Sequence, residues 1–481
     1  MTRELLVVAF HFPPLASSGT FRTLSFVRHL ERLGWRSTVV TVAETTAAPR
    51  DEALLAQVPA SVRVVRARSG DPVAGLKRLL SLGRDGRAPE AKPAAASPGE
   101  PGGAKRRGGL VEAVTRLLQI PDKESPFAVT AALAAIRAHG DVIRAADADR
   151  PAPDAVLASG PPMSGLVAGA LAARALGAPL VADFRDPWTA NPFRESGGGL
   201  ARGLDAALER FVLRTASVAI LNTPAARDAL AAAHPELDAR RLAVVENGFD
   251  PAELPAAPAS SRSDGLEIWH LGVLYGRRDP TPLLRAAARL LAEDRALRGR
   301  LRFRFVGFPG DERFGEERLR AAAGGDPAVV TVEGSRPHAA ALAEMVRADV
   351  LLLLGVSAAG PEVQVPAKLF EYLATGRPIL ATCHPEGAIA AVLRESRARV
   401  FQAPPDDEDA LLAALRALAA AARRGELGAA PSALPERFDR ARQAERLAEL
   451  LEVACYLRPQ APGNPSSSKS SQPDPRETPK S

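Results

Sequence analysis

The stretch LLVVAFHFPPLASSGTFRTLSFVRHLERLG, residues 5–34, decides the fold because it joins a strand to a helix through one polar loop. Residues 5–10 form a short, wholly apolar run, which predicts a strand buried on both faces. Apolar residues then recur at helical spacing over residues 21–33, and Gly34 stands where a helix C-cap belongs. This strand–loop–helix unit is the building block of an α/β protein.

The same alternation of apolar runs and amphipathic segments recurs in two series along the chain. The first series predicts strands at residues 37–41, 155–158, 180–183, 218–221 and 242–245, and a helix at 163–176. The second predicts strands at 266–271, 301–306, 329–332, 350–354 and 378–381, and helices at 282–292, 338–347 and 366–375. The sequence therefore predicts two doubly wound, Rossmann-like α/β domains in tandem, facing each other across a cleft.

Segments rich in Pro, Gly, Ala and Ser mark the expected boundaries. Residues 251–264 have the composition of a linker between domains. Residues 82–109 and the tail at 458–481 lack a hydrophobic period, so we expect both to be disordered. The expected domains are an N-terminal domain at 1–255 that carries the insertion, a C-terminal domain at 256–436, and an amphipathic helix within 437–457.

Composition narrows the protein class further. Of the 481 residues, 46% are hydrophobic and 25% charged, which is typical of a globular protein and excludes a rod or a collagen-like repeat. No apolar run reaches the ~18 residues of a membrane span, and the first residues do not form a signal peptide. We expect a cytoplasmic protein, with peripheral contact to the inner face of the plasma membrane at most.

The positive charge is concentrated in one segment. The net charge is +6, but residues 63–107 carry 11 Lys/Arg and 4 Asp/Glu, so the rest of the chain is nearly neutral. This distribution gives no reason to expect nucleic-acid binding by the folded body.

The loop after the first strand is a candidate anion site. Ser17, Ser18 and Gly19 lead directly into the helix, where free backbone amides attract anions and Gly19 allows close approach. A plain strand–turn–helix connection explains the loop equally well. The chain contains no G-x-x-x-x-G-K-[ST] motif, which excludes a P-loop ATPase.

A second candidate site follows the predicted strand at 180–183, in the segment DFRDPW. Asp183 and Asp186 flank Arg185 at the end of a parallel strand, where we expect both carboxylates to face the cleft. One carboxylate is a candidate general base for an acceptor hydroxyl, and Arg185 can hold the other or an anionic substrate. The alternative is a structural ion pair. We expect Trp188 to be a core residue rather than an aromatic ring on which a sugar stacks.

In the C-terminal domain, the segment HLGVLYGRRDP suits a diphosphate. Gly272 allows close approach, and Arg277 and Arg278 precede a helix whose N-terminus attracts anions. A solvated basic loop is the alternative.

Further on, Lys368 and Glu371 share one face of a short helix. Lys368 can neutralise phosphate and Glu371 can accept the hydroxyls of a ribose, unless the two form a surface ion pair. Glu362, in the preceding loop, is a candidate for contact with the transferred group.

No metal site or disulfide is expected. Asp147-Ala148-Asp149 has the D-x-D pattern, but it precedes a strand instead of following one, and the histidines lack metal spacing. Cys383 and Cys455 have no metal ligand nearby in sequence and read as small buried side chains.

Taken together, these segments resemble the GT-B glycosyltransferases of the retaining family-4 type. The matching pieces, in chain order, are FPPLASSGTFR, SGPPMSGLVAG, VADFRDPW, VVENGFDP, HLGVLYGRRDP and VPAKLFEYLATGRPIL. The resemblance covers residues 4–455 apart from the insertion. It implies that the last helix crosses back to the N-terminal domain.

The resemblance also implies roles for single residues. A UDP- or GDP-linked sugar donor would lie on the C-terminal domain, with Arg277 or Arg278 and Lys368 at the diphosphate and Glu371 at the ribose. Gly19 would face the diphosphate, and the acceptor would lie near Asp183, Arg185 and Asp186.

The sequence departs from the family pattern at two places. The family has a second glutamate at the position of Val363, and Glu362 stands one residue early. Two arginines replace its arginine–lysine pair.

The expected function is sugar transfer, without a metal or other cofactor, from a nucleotide sugar to a hydroxyl acceptor. The acceptor is expected to be lipid-linked, and the pathway to be cell-surface polysaccharide or glycolipid biosynthesis. Two alternatives stay open: a nucleotide-sugar 2-epimerase of the same architecture, and a non-catalytic scaffold that docks on an anionic surface through the basic insertion.

Overall fold

The computed structural model describes most of the chain. The described residues are 2–43, 45, 49–70, 72–73, 115–144, 152–191, 199–256, 265–274, 276–307, 312–356, 360–430 and 435–457. The insertion at 82–109, the tail at 458–481 and the D-x-D segment at 147–149 lie outside them, so the expectations for these segments stay predictions.

The first half of the chain forms a parallel sheet. Its strands are β1 (Arg3–Ala9), β2 (Trp35–Val42), β3 (Arg63–Ala67), β4 (Ala155–Gly160), β5 (Leu180–Phe184), β6 (Ala216–Leu221) and β7 (Leu242–Val244). Their order is β3-β2-β1-β4-β5-β6-β7. The helices are α1 (Ser18–Arg32), α2 (Ser125–Arg144), α3 (Met163–Leu176), α4 (Leu200–Thr215) and α5 (Pro224–Ala233). Because the order reverses between β1 and β4, a crevice forms at their carboxyl ends.

The second half repeats this design. Its strands are β8 (Leu266–Leu271), β9 (Leu301–Val306), β10 (Val330–Glu333), β11 (Val350–Leu354), β12 (Ile379–Thr382) and β13 (Val400–Ala403), in the order β10-β9-β8-β11-β12-β13. The helices are α6 (Thr281–Glu293), α7 (Glu316–Ala322), α8 (His338–Met345), α9 (Lys368–Ala374), α10 (Ala388–Glu395), α11 (Glu408–Arg423) and α12 (Arg440–Tyr456). All described strand pairs of both sheets are parallel, which confirms the predicted fold class.

The apolar run of β1 explains why the sheet is covered on both faces. Leu6 and Val8 belong to one hydrophobic core, whereas Leu5 and Val7 belong to the core on the opposite face. Successive side chains of a strand point to opposite faces, so a continuous apolar run supplies both cores. The second sheet likewise separates two cores.

Helix α12 returns from the second half to the first. Its buried residues Leu447 and Leu451 join the core that contains Leu5 and Val7, and the helix packs against α1. This confirms the crossing helix that the sequence led us to expect. Among the described residues, no helix is long and apolar enough to cross a membrane.

Helix α1 begins at a well-defined cap. The Ser17 side chain accepts a hydrogen bond from the Thr20 backbone N–H at 3.2 Å, and Ser17 itself has extended backbone angles. A side-chain acceptor at this position satisfies one of the free amides of the first turn. The cap therefore places the start of α1, with Gly19 and Phe21, at the carboxyl end of β1.

Candidate active site

The carboxyl ends of the two sheets face each other across a cavity of about 430 Å³. Both halves of the chain line it. The lining residues used below are Phe21, Arg185 and Asp186 from the first half, and Gly272, Arg278, His338, Lys368 and Glu371 from the second. The structure therefore brings together most of the predicted site residues. Among the described predicted residues, Gly19, Asp183, Arg277 and Glu362 are not part of the lining.

Lys368 places its ammonium group beside the end of β8. Its Nζ lies 3.3 Å from Nε2 of His270. Gly272 has a φ of 122°, and a Cβ there would lie 3.1 Å from Cε of Lys368 and closer still to Nζ. Gly272 is thus required both by its backbone conformation and by the space that Lys368 occupies. Burial, and then the charge of Arg278, lower the pKa of Lys368 to about 7, against the opposing effect of Glu371.

Glu371 lies on the same helix and is held by His338. Nε2 of His338 is 3.1 Å from a carboxylate oxygen of Glu371. Burial by itself would raise the pKa of Glu371, but the hydrogen bond and charge of His338, together with Arg440 and Lys368, lower it. Glu371 is therefore a carboxylate that can accept hydroxyl groups at neutral pH.

An aromatic contact joins the two halves beside Glu371. The ring of His338 stacks on Phe21 of α1, with ring centroids 4.1 Å apart and an interplanar angle of 27°. Phe21 comes from the first half and His338 from the second, so this contact bridges the two walls of the cavity.

The two predicted arginines after β8 differ in position. Arg278 is half-buried and lines the cavity, whereas Arg277 is exposed. Asp279 accepts a hydrogen bond from the Thr281 backbone N–H at 2.8 Å and so starts helix α6 next to Arg278. Arg278 is therefore the arginine in position to meet a ligand in the cavity.

On the opposite wall, Arg185 is fixed by backbone carbonyls. Its Nε donates to the Gly160 oxygen at 3.3 Å, and a terminal nitrogen donates to the Pro161 oxygen. Its guanidinium packs against Gly19, where any side chain would overlap it. Burial lowers the pKa of Arg185, and the nearby carboxylates of Asp183 and Asp186 oppose that shift.

Asp186 is half-buried beside Arg185 and lines the cavity. Burial raises the pKa of its carboxyl group, although Arg185 and Arg278 act against this effect. A carboxyl group whose pKa is raised is a better proton acceptor once ionised, which suits a general base.

Asp183 does not face the cleft, which differs from the expectation. It lies within β5, is 1% exposed, and forms a bidentate ion pair with Arg22 of α1 at 2.9 and 3.1 Å. Ser159 donates a third hydrogen bond at 3.0 Å. The side chain of a strand residue points to one face of the sheet, and α1 covers that face here. Arg22 also donates to the Val245 and Glu246 oxygens at 2.8 Å, so the pair ties α1 to β5 and to the segment that follows β7.

Glu362, expected to contact the transferred group, instead forms structural hydrogen bonds. It is 3% exposed, and its carboxylate accepts the backbone N–H groups of His384 and Ile389, both at 3.3 Å. Burial raises its pKa, and these amide bonds oppose the shift. The carboxylate packs against Gly387, at the N-terminus of α10, where any Cβ would overlap it.

A buried polar network holds the segment that carries Arg185 and Asp186. The indole N–H of Trp188, which is fully buried, donates to Asp205 at 2.8 Å. The backbone N–H of Thr189 donates to Glu209 at 3.1 Å, and His234 lies 3.3 Å from Glu209. Because buried polar groups that are fully paired make a segment rigid, this network fixes Asp186 at the cavity.

Sequence reasoning missed Arg22, Phe21, His270, His338 and Arg440. Phe21 and Arg22 lie in the first turns of α1, His270 lies on β8, and His338 begins α8; their places in strand–loop–helix units were the available signal. Arg440, which is buried and lines the cavity, begins helix α12, and its approach depends on how that helix crosses back. Among the described residues, no group of three His, Cys, Asp or Glu side chains is arranged to hold a metal ion.

Comparisons with known proteins agree with this architecture. The family model "Glycosyl transferase 4-like domain" matches residues 78–248, and "Glycosyl transferases group 1" matches residues 266–421. The two together span more than half of the chain. None of the curated proteins compared with the chain matches it in sequence.

Solved structures share the fold at low sequence identity. HepE of Anabaena, in complex with UDP and glucose, has a TM-score of 0.60 at 17% identity, covering 94% of this chain and 100% of that one. Sucrose-phosphate synthase of Thermosynechococcus elongatus has a TM-score of 0.54 at 14% identity, covering 94% and 96%. A glycosyltransferase of Rickettsia africae has a TM-score of 0.52 at 11% identity, covering 95% and 96%.

Two facing Rossmann-like sheets, a crossing C-terminal helix and family models that match both halves lead to one conclusion. This chain belongs to the retaining family-4, group 1 glycosyltransferases of the GT-B fold, which use nucleotide-sugar donors.

Proposed function

We propose that the protein transfers a hexose from a nucleoside-diphosphate sugar to a hydroxyl acceptor, with the donor on residues 256–436 and the acceptor on residues 1–255. The observation that carries this proposal is one cavity with Lys368, Arg278 and Glu371 on one wall and Arg185 and Asp186 on the other. The fold of HepE, which was solved with UDP and glucose, makes UDP the first nucleotide to test.

The donor site follows from the chemistry of the second wall. Departure of a nucleoside diphosphate leaves negative charge on the phosphate oxygens, and Lys368 and Arg278 are placed to stabilise it. A fixed donor at such a position is worth ~3 kcal/mol, or ~100-fold in rate. Glu371, kept ionised by His338, is suited to accept the two hydroxyls of the ribose. Arg277 is left without a direct role in this assignment, because Arg278 lines the cavity instead.

The acceptor site is proposed on the first wall. Asp186 is suited to take the proton of the attacking hydroxyl, because it lines the cavity and burial raises its pKa. Arg185 is suited to hold an anionic part of the acceptor or of the leaving group. The similarity to bacterial family-4 enzymes supports a lipid-linked acceptor in cell-surface polysaccharide or glycolipid biosynthesis.

Isothermal titration of UDP and of GDP against the wild-type protein and Lys368→Met tests the donor site. The methionine keeps the apolar stem of the side chain and removes the charge, so the preferred nucleotide should bind ~10- to 100-fold more weakly, as for loss of hydrogen bonds to a charged group. Lys123→Met is the matched control, because Lys123 is an exposed lysine whose side chain is 72% exposed. Equal affinity of Lys368→Met and wild type for both nucleotides would refute the donor assignment.

A further inference from the structure

His270 stands between the core of the second sheet and the ammonium group of Lys368. It belongs to β8 and is 2% exposed. Its Nδ1 lies 2.9 Å from the Leu352 backbone oxygen on the neighbouring strand β11, and its Nε2 lies 3.3 Å from Nζ of Lys368. Buried histidines more often have only a packing role, and the hydrogen-bond partners of the two ring nitrogens decide whether that holds for His270.

The partners of the ring determine its tautomer. A backbone carbonyl oxygen can only accept a hydrogen bond, so Nδ1 of His270 must carry a proton. Burial, followed by the charge of Lys368, lowers the pKa of His270 well below its ordinary value, so the ring is neutral. A neutral ring that is protonated on Nδ1 has a lone pair on Nε2, and that lone pair is directed at Lys368.

The surroundings of Lys368 show what this lone pair does. The charged groups near its ammonium are Arg278, which repels it, and Glu371, which attracts it. Gly272 leaves room for the ammonium on the side of β8. A charged lysine has three N–H groups; if His270 accepts one of them, the other two remain for a ligand in the cavity.

We propose that His270 is a positioning residue for donor binding: its Nε2 takes one N–H of Lys368 and directs the remaining two toward the donor diphosphate. This proposal rests on the proposed function, since it takes Lys368 to bind the diphosphate. His270 itself does not touch the substrate.

The test compares UDP binding by wild type, His270→Leu and His270→Gln in isothermal titrations. Leucine fills the space without an acceptor, and UDP affinity should fall roughly 10-fold, as for loss of a hydrogen bond to a charged group. Glutamine provides an amide oxygen that can accept from Lys368, so it should restore most of the affinity. His139→Leu is the matched control, since His139 is also buried and bonded to a backbone oxygen, that of Ala135 at 3.1 Å, but lies on α2.

A double-mutant cycle with Lys368→Met separates a positioning role from a structural one. If His270 acts through Lys368, adding His270→Leu to Lys368→Met should cause no further loss of UDP affinity. Wild-type affinity in His270→Leu, or an equal further loss on the Lys368→Met background, overturns the proposal. If Lys368→Met binds UDP with wild-type affinity, the proposed donor site is refuted. If Lys368→Met binds UDP weakly but His270→Leu binds it with wild-type affinity, only the role of His270 is refuted.

The wild-type protein offers a measurement that does not depend on how the variants fold. In a ¹⁵N-resolved NMR spectrum of the imidazole groups, Nε2 of His270 should have the shift of an unprotonated ring nitrogen. That shift should change when UDP is added. A protonated Nε2 overturns the proposal, because it could not accept from Lys368.

Discussion

Gly19→Ala tests whether the position of Arg185 matters for catalysis. A Cβ at Gly19 would lie 2.7 Å from Cζ of Arg185 and 2.9 Å from one terminal nitrogen, and closer to the other. Non-bonded heavy atoms need ~3.5–4.0 Å, so the guanidinium has to move by at least ~1 Å. Gly19 lies in the first turn of α1 and does not have a positive φ, so alanine there should not destabilise the helix itself. The effect should therefore arise at Arg185.

The size of the effect follows from what holds Arg185. Its donors to the Gly160 and Pro161 oxygens fix the guanidinium at the cavity wall, and a shift of about 1 Å breaks that geometry. A displacement of this size at a reacting centre lowers kcat/KM by ~100-fold, or ~2.7 kcal/mol. UDP affinity should fall by less than kcat/KM, because Lys368, Arg278 and Glu371 are not displaced.

The donor for the assay is the nucleotide sugar that raises the Tm of the wild-type protein most. The steady-state rate of nucleotide release from this donor gives kcat/KM, and titration with UDP gives the affinity of the donor site separately. Gly203→Ala is the control, because Gly203 lies in α4 and a Cβ there meets nothing within 4 Å. If Gly19→Ala keeps kcat/KM within about threefold of wild type at an unchanged Tm, Arg185 has no positional role and the reasoning is wrong.

Three further predictions concern stability and pH. Asp183→Asn leaves the Arg22 guanidinium buried without its charge partner and should cost ~3–5 kcal/mol in urea denaturation; a loss below ~1 kcal/mol would contradict a buried ion pair. UDP should bind about 10-fold more weakly per pH unit as the pH rises from 7.5 to 8.5, and Lys368→Met should abolish this slope. The sign follows because Lys368, whose pKa is about 7 in the free protein, is then neutral and must take up a proton to hold the diphosphate. Leu447→Ala should lower the free energy of unfolding by ~2–5 kcal/mol, since this fully buried side chain docks α12 on the first sheet; an unchanged urea midpoint would show that α12 is not docked.

Strands that carry mostly large apolar residues could be predicted from the sequence almost residue by residue. The predicted strands at 266–271, 301–306 and 350–354 coincide with β8, β9 and β11, although polar residues interrupt the apolar ones in β8 and β9. Strands β3 and β13, at the sheet edges, were missed because each has only two large apolar residues and is exposed or half-buried along most of its length. No helix was predicted at α2, α4, α5, α7, α10 or α11 either. In α11 the buried residues Leu411, Leu415 and Leu418 recur at helical spacing, so the signal for that helix was present in the sequence.

Candidate site residues were predictable where they follow a strand and share a helix face. Lys368 and Glu371 met this condition, and both line the cavity. Asp183 and Glu362 were candidates only because they are carboxylates near strand ends. A carboxylate at such a position can bind a ligand, but it can equally accept structural hydrogen bonds. The partners that decide between these roles, Arg22 and the amides of His384 and Ile389, come from distant segments.

By itself the sequence determined the two strand–helix series, the family resemblance and the residue types of the donor site, because apolar periodicity and short motifs are local properties of a chain. Only the tertiary structure decided which carboxylate and which arginine line the cavity and which histidine lies beside Lys368. Those choices depend on contacts between segments that are remote in sequence, such as α1 with β5 and β8 with α9, and on the burial that sets the charge of each group.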